Sequence, residues 1–475
     1  MTPIFQMLRK NHPRFTYENF SWKREEGKLS ISFHFVLEPD IHFHPRIEMV
    51  ADSESFCLPS PAILDRLIFH LGLIELLSYW KAACSPEILI KPTPFPPQTS
   101  TFFRELFYGG MGEYFFMNQI DFKDPDLMHL RTASSGSDTA FEAFHREPLS
   151  RRPLLMISGG KDSALSAGIL NELGVNFNAM ILNPTESARR IAELAGCRSP
   201  IVIRREICPQ LLQLNEMGYL NGHTPFSALL GMLGIIGCAA FGYDFAIASN
   251  EAGCNTPYVR YLDKDINHQY SKSYPFEHLF NRYVRSHLIS NVEYFSLLRP
   301  LREIQVVGCF SNHTHLLRHF RSCNKQQKQD AWCLRCAKCI AVYTLFYPFL
   351  TSSEMTEIFG GHVSDDRANV EILLQIMGEK GHRPFECIAT KEEMSVALHL
   401  AVSKHRCERT PLPPLLQYAE RELLAKYPVS TSDLESILFS WNEEHLLPTE
   451  WAVFLKRRVM ETMHNQIARL MDDER

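Results

Sequence analysis

Apolar and polar positions alternate near the start of the chain and then recur at helical spacing. Residues 29–37 carry apolar side chains at nearly every second position, which predicts a half-buried strand. Residues 61–84 repeat apolar side chains every three or four positions, which predicts a helix. The proline-rich run 91–97 then interrupts the pattern. We therefore predict an α+β domain over residues 1–148.

From residue 153 onward, short apolar runs alternate with amphipathic segments. Strands are predicted at 153–157, 177–182, 200–204 and 245–248, and helices at 164–170, 186–194 and 226–241. Repeated strand–helix units are typical of a parallel sheet with helices on both faces. The apolar segment 226–241 is shorter than the ~20 residues that a bilayer span needs, so a helix buried against the sheet is predicted.

A glycine-rich turn follows the first strand of this region. Residues 158–163 read Ser-Gly-Gly-Lys-Asp-Ser, and their spacing differs from that of a Walker A loop and of a dinucleotide-binding turn. Such a turn between a strand and a helix places backbone N–H groups where a phosphate chain binds. It resembles the signature of the PP-loop ATP pyrophosphatases, which implies cleavage of ATP between its α- and β-phosphates. The alternative is a Gly-Gly turn with a serine helix cap.

Polar residues also follow two other predicted strands. Asn183 comes after the second strand, and Ser249, Asn250 and Glu251 come after the fourth. Ligands of open parallel sheets bind at the carboxyl ends of the strands. We therefore expect these residues and the glycine turn to line one crevice.

Four of the thirteen cysteines lie close together in the sequence. Cys323, Cys333, Cys336 and Cys339 supply four soft ligands at a spacing that favours tetrahedral zinc. Disulfides would be reduced in a cytosolic chain, so a metal is the preferred interpretation. Four sulfur ligands close the coordination shell, which predicts a structural role for the metal.

Other histidines and cysteines are interpreted without a metal. Outward positions of strand-like segments hold three histidines: His34, His42 and His44. Three cysteines in apolar surroundings are predicted to be core residues: Cys57, Cys84 and Cys238. Two cations between the clustered cysteines either offset thiolate charge or are solvated: Arg335 and Lys338.

The composition is that of a soluble globular protein, with 45% hydrophobic and 22% charged residues. A length of 475 residues predicts more than one domain. The formal net charge of −5 gives no overall attraction to nucleic acid or to an anionic membrane. The first residues lack the apolar core of a signal peptide, so a cytoplasmic location is expected.

Three further polar strings are too specific to be ordinary loops. They read Leu-Asn-Glu-Met-Gly-Tyr-Leu-Asn-Gly-His-Thr-Pro at 214–225, Asn-His-Gln-Tyr-Ser-Lys-Ser at 267–273 and Tyr-Phe-Ser-Leu-Leu-Arg-Pro-Leu at 294–301. In order with the glycine turn, Ser-Asn-Glu and the cysteine cluster, they resemble the UDP-N-acetylmuramoyl-L-alanyl-L-glutamate epimerase family. The resemblance runs from about residue 153 to Cys387, with a further likeness at Gly112-Glu113-Tyr114.

The resemblance implies an α/β fold of the PP-loop type, which is Rossmann-like and adenine nucleotide alpha hydrolase-like. It implies a catalytic domain over residues 149–345 that includes the cysteine cluster, followed by a helical region over 346–475. The implied reaction is ATP-dependent inversion of the terminal L-glutamate of UDP-MurNAc-L-Ala-L-Glu through an acyl adenylate, with release of AMP and pyrophosphate. The implied setting is peptidoglycan precursor synthesis, and a link to the ligase that adds L-glutamate stays open.

The resemblance also implies roles for individual residues. Pyrophosphate would be held by Ser158, Gly159, Gly160, Asp162 and Ser163. Stabilisation of the leaving group is assigned to Lys161, and a Mg²⁺ contact to Asp162. The adenylate pocket would be lined by Asn183, Ser249, Asn250 and Glu251. Clamping of a phosphate or carboxylate is assigned to Lys272, Arg299 and Arg205.

Proton transfer at the glutamate Cα is assigned to His223 and His268, because histidine titrates near working pH. Inversion needs two carriers on opposite faces or one mobile carrier, and the sequence does not choose between them. Tyr270 and Cys254 stay open as partners.

Two other functions stay open. The first is a PP-loop enzyme with another acceptor, as in 7-cyano-7-deazaguanine synthesis or tRNA modification; the acidic balance and the order of the motifs disfavour it. The second is a non-enzymatic binding module stapled by zinc, which the intact glycine turn disfavours.

Overall fold

The computed structural model describes residues 2–51, 59–94, 96–133, 141–147 and 152–472. Within these residues the strands are β1 (Arg14–Glu25), β2 (Lys28–Leu37), β3 (Ile41–Phe43), β4 (Arg46–Val50), β5 (Glu87–Ile90), β6 (His129–Thr132), β7 (Pro153–Met156), β8 (Asn178–Leu182), β9 (Ile201–Glu206), β10 (Phe245–Ala248), β11 (Val259–Tyr261), β12 (Lys264–Ile266) and β13 (Glu293–Ser296).

The α-helices in the first part of the chain are α1 (Pro3–Asn11), α2 (Pro61–Glu75), α3 (Leu77–Trp80), α4 (Pro97–Gly110), α5 (Gly112–Met117), α6 (Lys161–Glu172), α7 (Glu186–Leu194), α8 (Pro209–Glu216), α9 (Phe226–Phe241) and α10 (Tyr274–Tyr283). The later α-helices are α11 (Glu303–Phe310), α12 (Thr314–Leu317), α13 (Ala337–Phe346), α14 (Ser352–Phe359), α15 (Asn369–Ile376), α16 (Lys391–Cys407), α17 (Pro414–Tyr418), α18 (Leu424–Lys426), α19 (Thr431–Leu438) and α20 (Thr449–Asp472).

Across the part of the chain that the structure describes, eleven strands form one sheet. Their order is β13-β10-β7-β8-β9-β4-β2-β1-β5-β6, with β3 paired to β2. The strands from β13 to β9 are parallel. β9 then pairs antiparallel with β4, in a register that joins Ile203 to Met49. The N-terminal strands and the later strands therefore share a continuous sheet across the boundary predicted at residue 148.

Helices cover both faces of the sheet around β7 and β10, where successive strand residues point into two different apolar cores. Leu154 and Ala246 belong to the core that also contains α2 and α9. Leu155 and Ile247 belong to the core that contains α6, α11 and α13. The predicted α/β arrangement of a parallel sheet between two helical layers is present in the strands from β13 to β9.

The part of the chain that follows α13 is helical, as predicted. It packs on the second core through α16 and α20, and the α20 residues Leu455, Val459 and Met463 are buried. A Cβ on Gly308 of α11 would lie 2.3 Å from Met463 Cε, so the two helices meet closely at this glycine.

Most predicted elements agree with the observed ones, with local differences. The helices predicted at 186–194 and 226–241 match α7 and α9 residue for residue, and α9 is almost wholly buried. The helix predicted at 61–84 is shorter, because α2 ends at Glu75 and only the brief α3 follows. No α-helix of the described residues combines the length and the apolar character that a membrane crossing requires.

Of the six residues interpreted without a metal, the structure describes five, and one ring nitrogen from each of the three histidines lies within 4.8 Å of the others, close enough to hold a metal ion. The rings of His34, His42 and His44 stack on one another, with His42 and His44 exposed. Cys84 and Cys238 are buried. Cys57 lies outside the described residues.

Candidate active site

The carboxyl ends of three neighbouring strands open into one cavity of about 500 Å³. The strands are β10, β7 and β8, which lie side by side in the sheet. Residues after each strand line this cavity: Ser158, Asp162, Ser163, Asn183, Ser249 and Asn250. The crevice expected from the sequence therefore brings together all three strand ends.

The glycine turn is shaped by close packing. Gly159 has φ +82°, and a Cβ there would lie 2.6 Å from Ser187 Oγ, so a larger residue does not fit. Ser163 Oγ accepts from Ser158 N at 3.2 Å and donates to the Gly160 carbonyl at 3.1 Å. Helix α6 begins directly after Gly160 with no side-chain cap. Among the described residues, no side chain caps this helix start at the edge of the cavity.

Lys161 is buried in a cluster of charges below the turn. Its Nζ lies 2.5 Å from Asp162 Oδ1 and 2.9 Å from Glu303 Oε1. Lys338 Nζ reaches the same Glu303 oxygen at 3.5 Å. Burial alone would lower the pKa of Lys161, but attraction to the carboxylates of Asp162 and Glu303 outweighs it and raises the pKa. Lys161 therefore stays cationic next to the turn.

The residues after β8 and β10 differ in what they offer to a ligand. Asn183 has φ +44° and its side chain bridges to the backbone of Arg205, so it also ties β8 to β9. Ser249 Oγ is buried and has no hydrogen-bond partner among the described residues. Glu251 turns its carboxylate away from the large cavity toward Gly253 and Cys254.

A second, much smaller cavity of about 30 Å³ adjoins the first. Asp162, Ser249, Asn250 and Lys272 line both cavities. The small cavity is further lined by Lys161, Glu251, Cys254, Gln269, Glu303, Lys338 and Cys387. It therefore lies between the glycine turn and two thiols.

The two predicted histidines share a carboxylate. Glu113 Oε2 lies 2.5 Å from His268 Nδ1 and 3.7 Å from His223 Nδ1. Burial lowers the pKa of His223 to about 3, with help from the charges of His268 and Lys272. Burial alone would also lower the pKa of His268, but hydrogen bonds to Cys387 and Glu113 raise it to about 9. At neutral pH a neutral imidazole thus lies beside an imidazolium.

Cys387 lies between two cationic groups. Lys272 Nζ donates to Cys387 Sγ at 2.9 Å. Burial alone would raise the pKa of the Cys387 thiol, but the charge of Lys272 and the hydrogen bond from His268 lower it to about 6. Cys387 is therefore largely a thiolate at neutral pH.

Two arginines expected to clamp a ligand bind carboxylates of the protein instead. Arg299 is fully buried, and its guanidinium donates to Glu277 Oε2 at 2.7 Å and to the Glu251 carbonyl at 3.0 Å. Arg205, whose side chain is 9% exposed, donates to Glu75 Oε1 at 2.9 Å. Both guanidinium groups thus hold chain segments together, and Lys272 alone of the three predicted clamps lines the cavity.

The four clustered cysteines converge in space. The sulfur atoms of Cys323, Cys333, Cys336 and Cys339 all lie within 4.8 Å of one another. A tetrahedral Zn–S length of about 2.3 Å separates sulfur atoms by roughly 3.8 Å, so the donor set fits zinc. The cations between them differ sharply: Arg335 is 79% exposed, whereas Lys338 is buried and donates to the Cys387 carbonyl.

The sequence suggested no role for three residues of the site, Glu113, Glu303 and Cys387. Glu303 lies two positions after the string 294–301. Cys387 is the last residue of the stretch that carries the resemblance. Their positions next to recognised motifs were the available signal. The contacts that matter, from Glu303 to Lys161 and from Cys387 to Lys272, join distant parts of the chain.

Two known protein families match long parts of the chain. Residues 6–297 match the family described as the MurL N-terminal domain, and residues 319–426 match the MurL C-terminal domain. The first match alone spans more than half of the chain. The chain belongs to the MurL family.

Curated relatives in this MurL comparison share one name, UDP-N-acetyl-alpha-D-muramoyl-L-alanyl-L-glutamate epimerase. The relative from Micromonospora sp. is 29% identical over 396 residues, covering 82% of this chain and 86% of the relative. The relative from Salinispora tropica is 31% identical over 344 residues, covering 71% and 74%. The relative from Xanthomonas oryzae pv. oryzae is 29% identical over 341 residues, covering 70% and 74%. The MurL match includes the glycine turn, both histidines, Cys387 and the cysteine cluster.

Proposed function

We propose that this MurL-family chain is an ATP-dependent epimerase that inverts the terminal L-glutamate of UDP-MurNAc-L-Ala-L-Glu to D-glutamate. ATP would be converted to AMP and pyrophosphate as the glutamate α-carboxylate becomes an acyl adenylate. The names of the relatives support an isomerase with this substrate. The product would enter peptidoglycan precursor synthesis, and the substrate would come from a ligase that adds L-glutamate.

The physical case for adenylation rests on charge. A carboxylate is already negative, so removal of the neighbouring Cα proton would place a second negative charge on the same group. An acyl adenylate is neutral at that carbonyl, and the electron pair of the broken C–H bond can move onto the carbonyl oxygen. Reprotonation on the other face followed by hydrolysis of the adenylate gives the inverted product and AMP.

The observation that carries this proposal is the crevice at the ends of β10, β7 and β8. We assign the phosphate chain to Ser158, Gly159, Gly160, Asp162 and Ser163, in the manner of a PP-loop. Within the described part of the chain, α6 starts without a side-chain cap and Ser249 Oγ has no hydrogen-bond partner, which supports a polar ligand there. We assign the adenylate to Asn183, Ser249, Asn250 and Glu251, of which Glu251 contacts only the small cavity.

Lys161 and Lys272 would stabilise the negative charge that develops as pyrophosphate leaves. The carboxylate of Asp162 suits Mg²⁺, which would neutralise phosphate charge when bound. Zinc on the four cysteines would have a structural role, because its coordination shell would be closed.

We further propose that proton transfer involves the wall formed by Glu113, His223 and His268. Glu113 comes from the residues before 148, whereas the glycine turn comes from residues 149–345. The N-terminal region would therefore contribute to the dipeptide side of the reaction and the following domain to ATP chemistry.

One assay tests this function. The protein is incubated with Mg²⁺, ATP and UDP-MurNAc-L-Ala-L-Glu, and the amount of AMP formed is measured. The product is then hydrolysed chemically, and the chirality of its glutamate is determined. We expect D-glutamate and AMP to appear together, and Asp162→Asn to reduce both by about 100-fold or more because it removes the carboxylate assigned to Mg²⁺. Asp126→Asn, at an exposed aspartate, is the matched control. Inversion without AMP contradicts the role of ATP, and AMP without inversion contradicts the epimerase.

A further inference from the structure

The proposed function leaves two thiols of the small cavity, those of Cys254 and Cys387, without a role. Cys254 lies in the short 3₁₀ turn Ala252–Asn255 that follows β10, and Cys387 lies in the segment before α16. The described residues that line this cavity include both thiols and neither predicted histidine. Asp162 and Ser249 line it as well, so the thiols adjoin the site assigned to the acyl adenylate.

We propose that Cys387 and Cys254 are the two groups that exchange the glutamate Cα proton, with Cys387 as the thiolate base and Cys254 as the thiol acid. This inference rests on the proposed epimerase function and adds the atoms that perform the inversion. The two thiols thereby take the place of His223 and His268 as the groups that reach Cα, and His268 becomes a positioning residue that keeps Cys387 ionised.

The contacts of the two sulfur atoms suit these opposite roles. Cys387 Sγ accepts a hydrogen bond from Lys272 Nζ at 2.9 Å and a second one from His268. The ring of His268 is held by the carboxylate of Glu113. Cys254 Sγ instead donates to Glu251 Oε1 at 3.3 Å and faces Gln269 Oε1 at 3.5 Å. Cationic neighbours favour a thiolate, whereas acceptor oxygens hold a thiol proton in place.

Proton affinities follow the same division. The thiol pKa of Cys387 is lowered to about 6, whereas burial and the neighbouring Glu251 raise that of Cys254 well above its usual value. Paired groups with pKa values driven apart are a recurrent sign of an acid and a base. The groups that face the Cys387 thiol are Lys272, His268, Lys338, Cys254 and Tyr258.

The proposed inversion consists of two proton transfers at Cα. Cys387 S⁻ takes the Cα proton and becomes S–H, while the C–H electron pair forms a Cα=C bond and the carbonyl pair moves to oxygen. The carbonyl then re-forms, Cα takes the proton of Cys254 S–H from the other face, and Cys254 is left as a thiolate. Return of one proton from Cys387 to Cys254 through solvent resets the site, and water hydrolyses the adenylate.

The decisive experiment follows Cα deuterium in ²H₂O with ATP, Mg²⁺ and UDP-MurNAc-L-Ala-L-Glu. The wild-type protein should give D-glutamate that carries deuterium at Cα. Cys254→Ala should still let Cys387 exchange the proton, so deuterium enters L-glutamate while inversion falls by about 100-fold or more. Cys387→Ala should lose both exchange and inversion of the L-substrate.

Substrate-dependent ATP–pyrophosphate exchange tests the proposed adenylation separately from the thiol assignment. Both variants should keep that exchange, because adenylation precedes proton transfer. Cys208→Ala, at a half-buried cysteine that lines neither cavity, is the matched control. Loss of ATP–pyrophosphate exchange in the wild type contradicts the proposed function itself. Inversion at the wild-type rate in either cavity variant overturns only the thiol assignment.

A measurement on the wild-type protein covers the case of a variant that does not fold. Iodoacetamide labelling followed by mass spectrometry should modify Cys387 at pH 7 about tenfold faster than Cys208, since only the thiolate reacts. Substrate with ATP should protect Cys387. Equal labelling rates, or labelling that substrate does not slow, also overturn the proposal.

Discussion

The chain contains two groups of buried or half-buried cysteines whose surroundings differ in kind. In the cluster of Cys323, Cys333, Cys336 and Cys339, each sulfur atom faces other sulfur atoms. In the small cavity, Cys387 faces Lys272 and Cys254 faces Glu251. Convergent sulfur atoms make a closed metal shell, whereas a sulfur atom among charged groups can gain or lose a proton. The neighbours of a thiol, and not its burial, thus separate a structural role from a chemical one.

Loss of the cluster should have the largest effect. Cys336→Ser removes one of four ligands, so we expect loss of bound zinc and destabilisation by several kcal/mol, because metal binding contributes to folding free energy. Metal content by elemental analysis and the thermal midpoint of unfolding measure this. Cys208→Ser is the control. A Cys336→Ser protein that keeps both its metal and its midpoint contradicts the structural role.

Glu303 joins the two regions, because its carboxylate contacts Lys161 under the glycine turn and Lys338 between the cluster cysteines. Glu303→Gln leaves two buried ammonium groups without their shared counter-charge. We expect a loss of about 3–5 kcal/mol in unfolding free energy, measured by urea denaturation. Glu357→Gln, at an exposed pair with Arg318, should change it by less than about 1 kcal/mol. Equal effects of the two substitutions would contradict the buried bridge.

The rate of Cα proton exchange should depend on pH in a bell-shaped curve, because Cys387 and His268 titrate at different pH values. The pKa of Cys387 is depressed to about 6 and that of His268 is raised to about 9. As pH falls through about 6 the thiolate is protonated, and as pH rises through about 9 the imidazolium that stabilises it is lost. The stabilising attraction between the two groups is therefore greatest between these values and declines on both sides. A flat exchange rate from pH 5 to pH 10 would be incompatible with this pair.

His268→Gln should weaken the thiolate without removing it. The substitution deletes one cation next to Cys387 but keeps Lys272, so the pKa of the thiol should rise toward its usual range. We expect alkylation of Cys387 at pH 7 to slow by up to about tenfold and its pH midpoint to move upward. An unchanged midpoint would show that His268 does not position the charge.

The smallest effect is expected at the exposed cation of the cluster. Arg335→Ala should change stability by less than about 0.5 kcal/mol, because its side chain is 79% exposed. Lys338→Met should be clearly more destabilising, since it removes a buried ammonium group that contacts Glu303 and the Cys387 carbonyl. Thermal unfolding of both variants compares them, and a reversed order would contradict the assignment of Lys338 to the site.

The sequence predicted those parts of the molecule that local pattern controls. The apolar run of α9, the helix α7 and the strand that precedes the glycine turn are encoded within short windows. The antiparallel junction of β4 with β9 joins residues about 150 positions apart, which no local pattern encodes. Lys272 and the glycine turn were predicted because each belongs to a local motif. The ionised Cys387 between Lys272 and His268 was not predicted, because its contacts join distant parts of the chain. Arg299 shows the converse error, because a buried carboxylate on Glu277 occupies a guanidinium that its motif had suggested for a ligand.

The junction of β4 with β9 also bears on how the site admits its substrate. A single hydrogen-bonded sheet underlies both the N-terminal strands and the strands that carry the glycine turn, so the floor of the cavity cannot hinge apart there without breaking backbone pairs. The small cavity holds only about one water-sized group. Room for a reacting carbon would therefore have to come from the segments that carry Cys254, His268 and Cys387, which we expect to move while the glycine turn stays fixed.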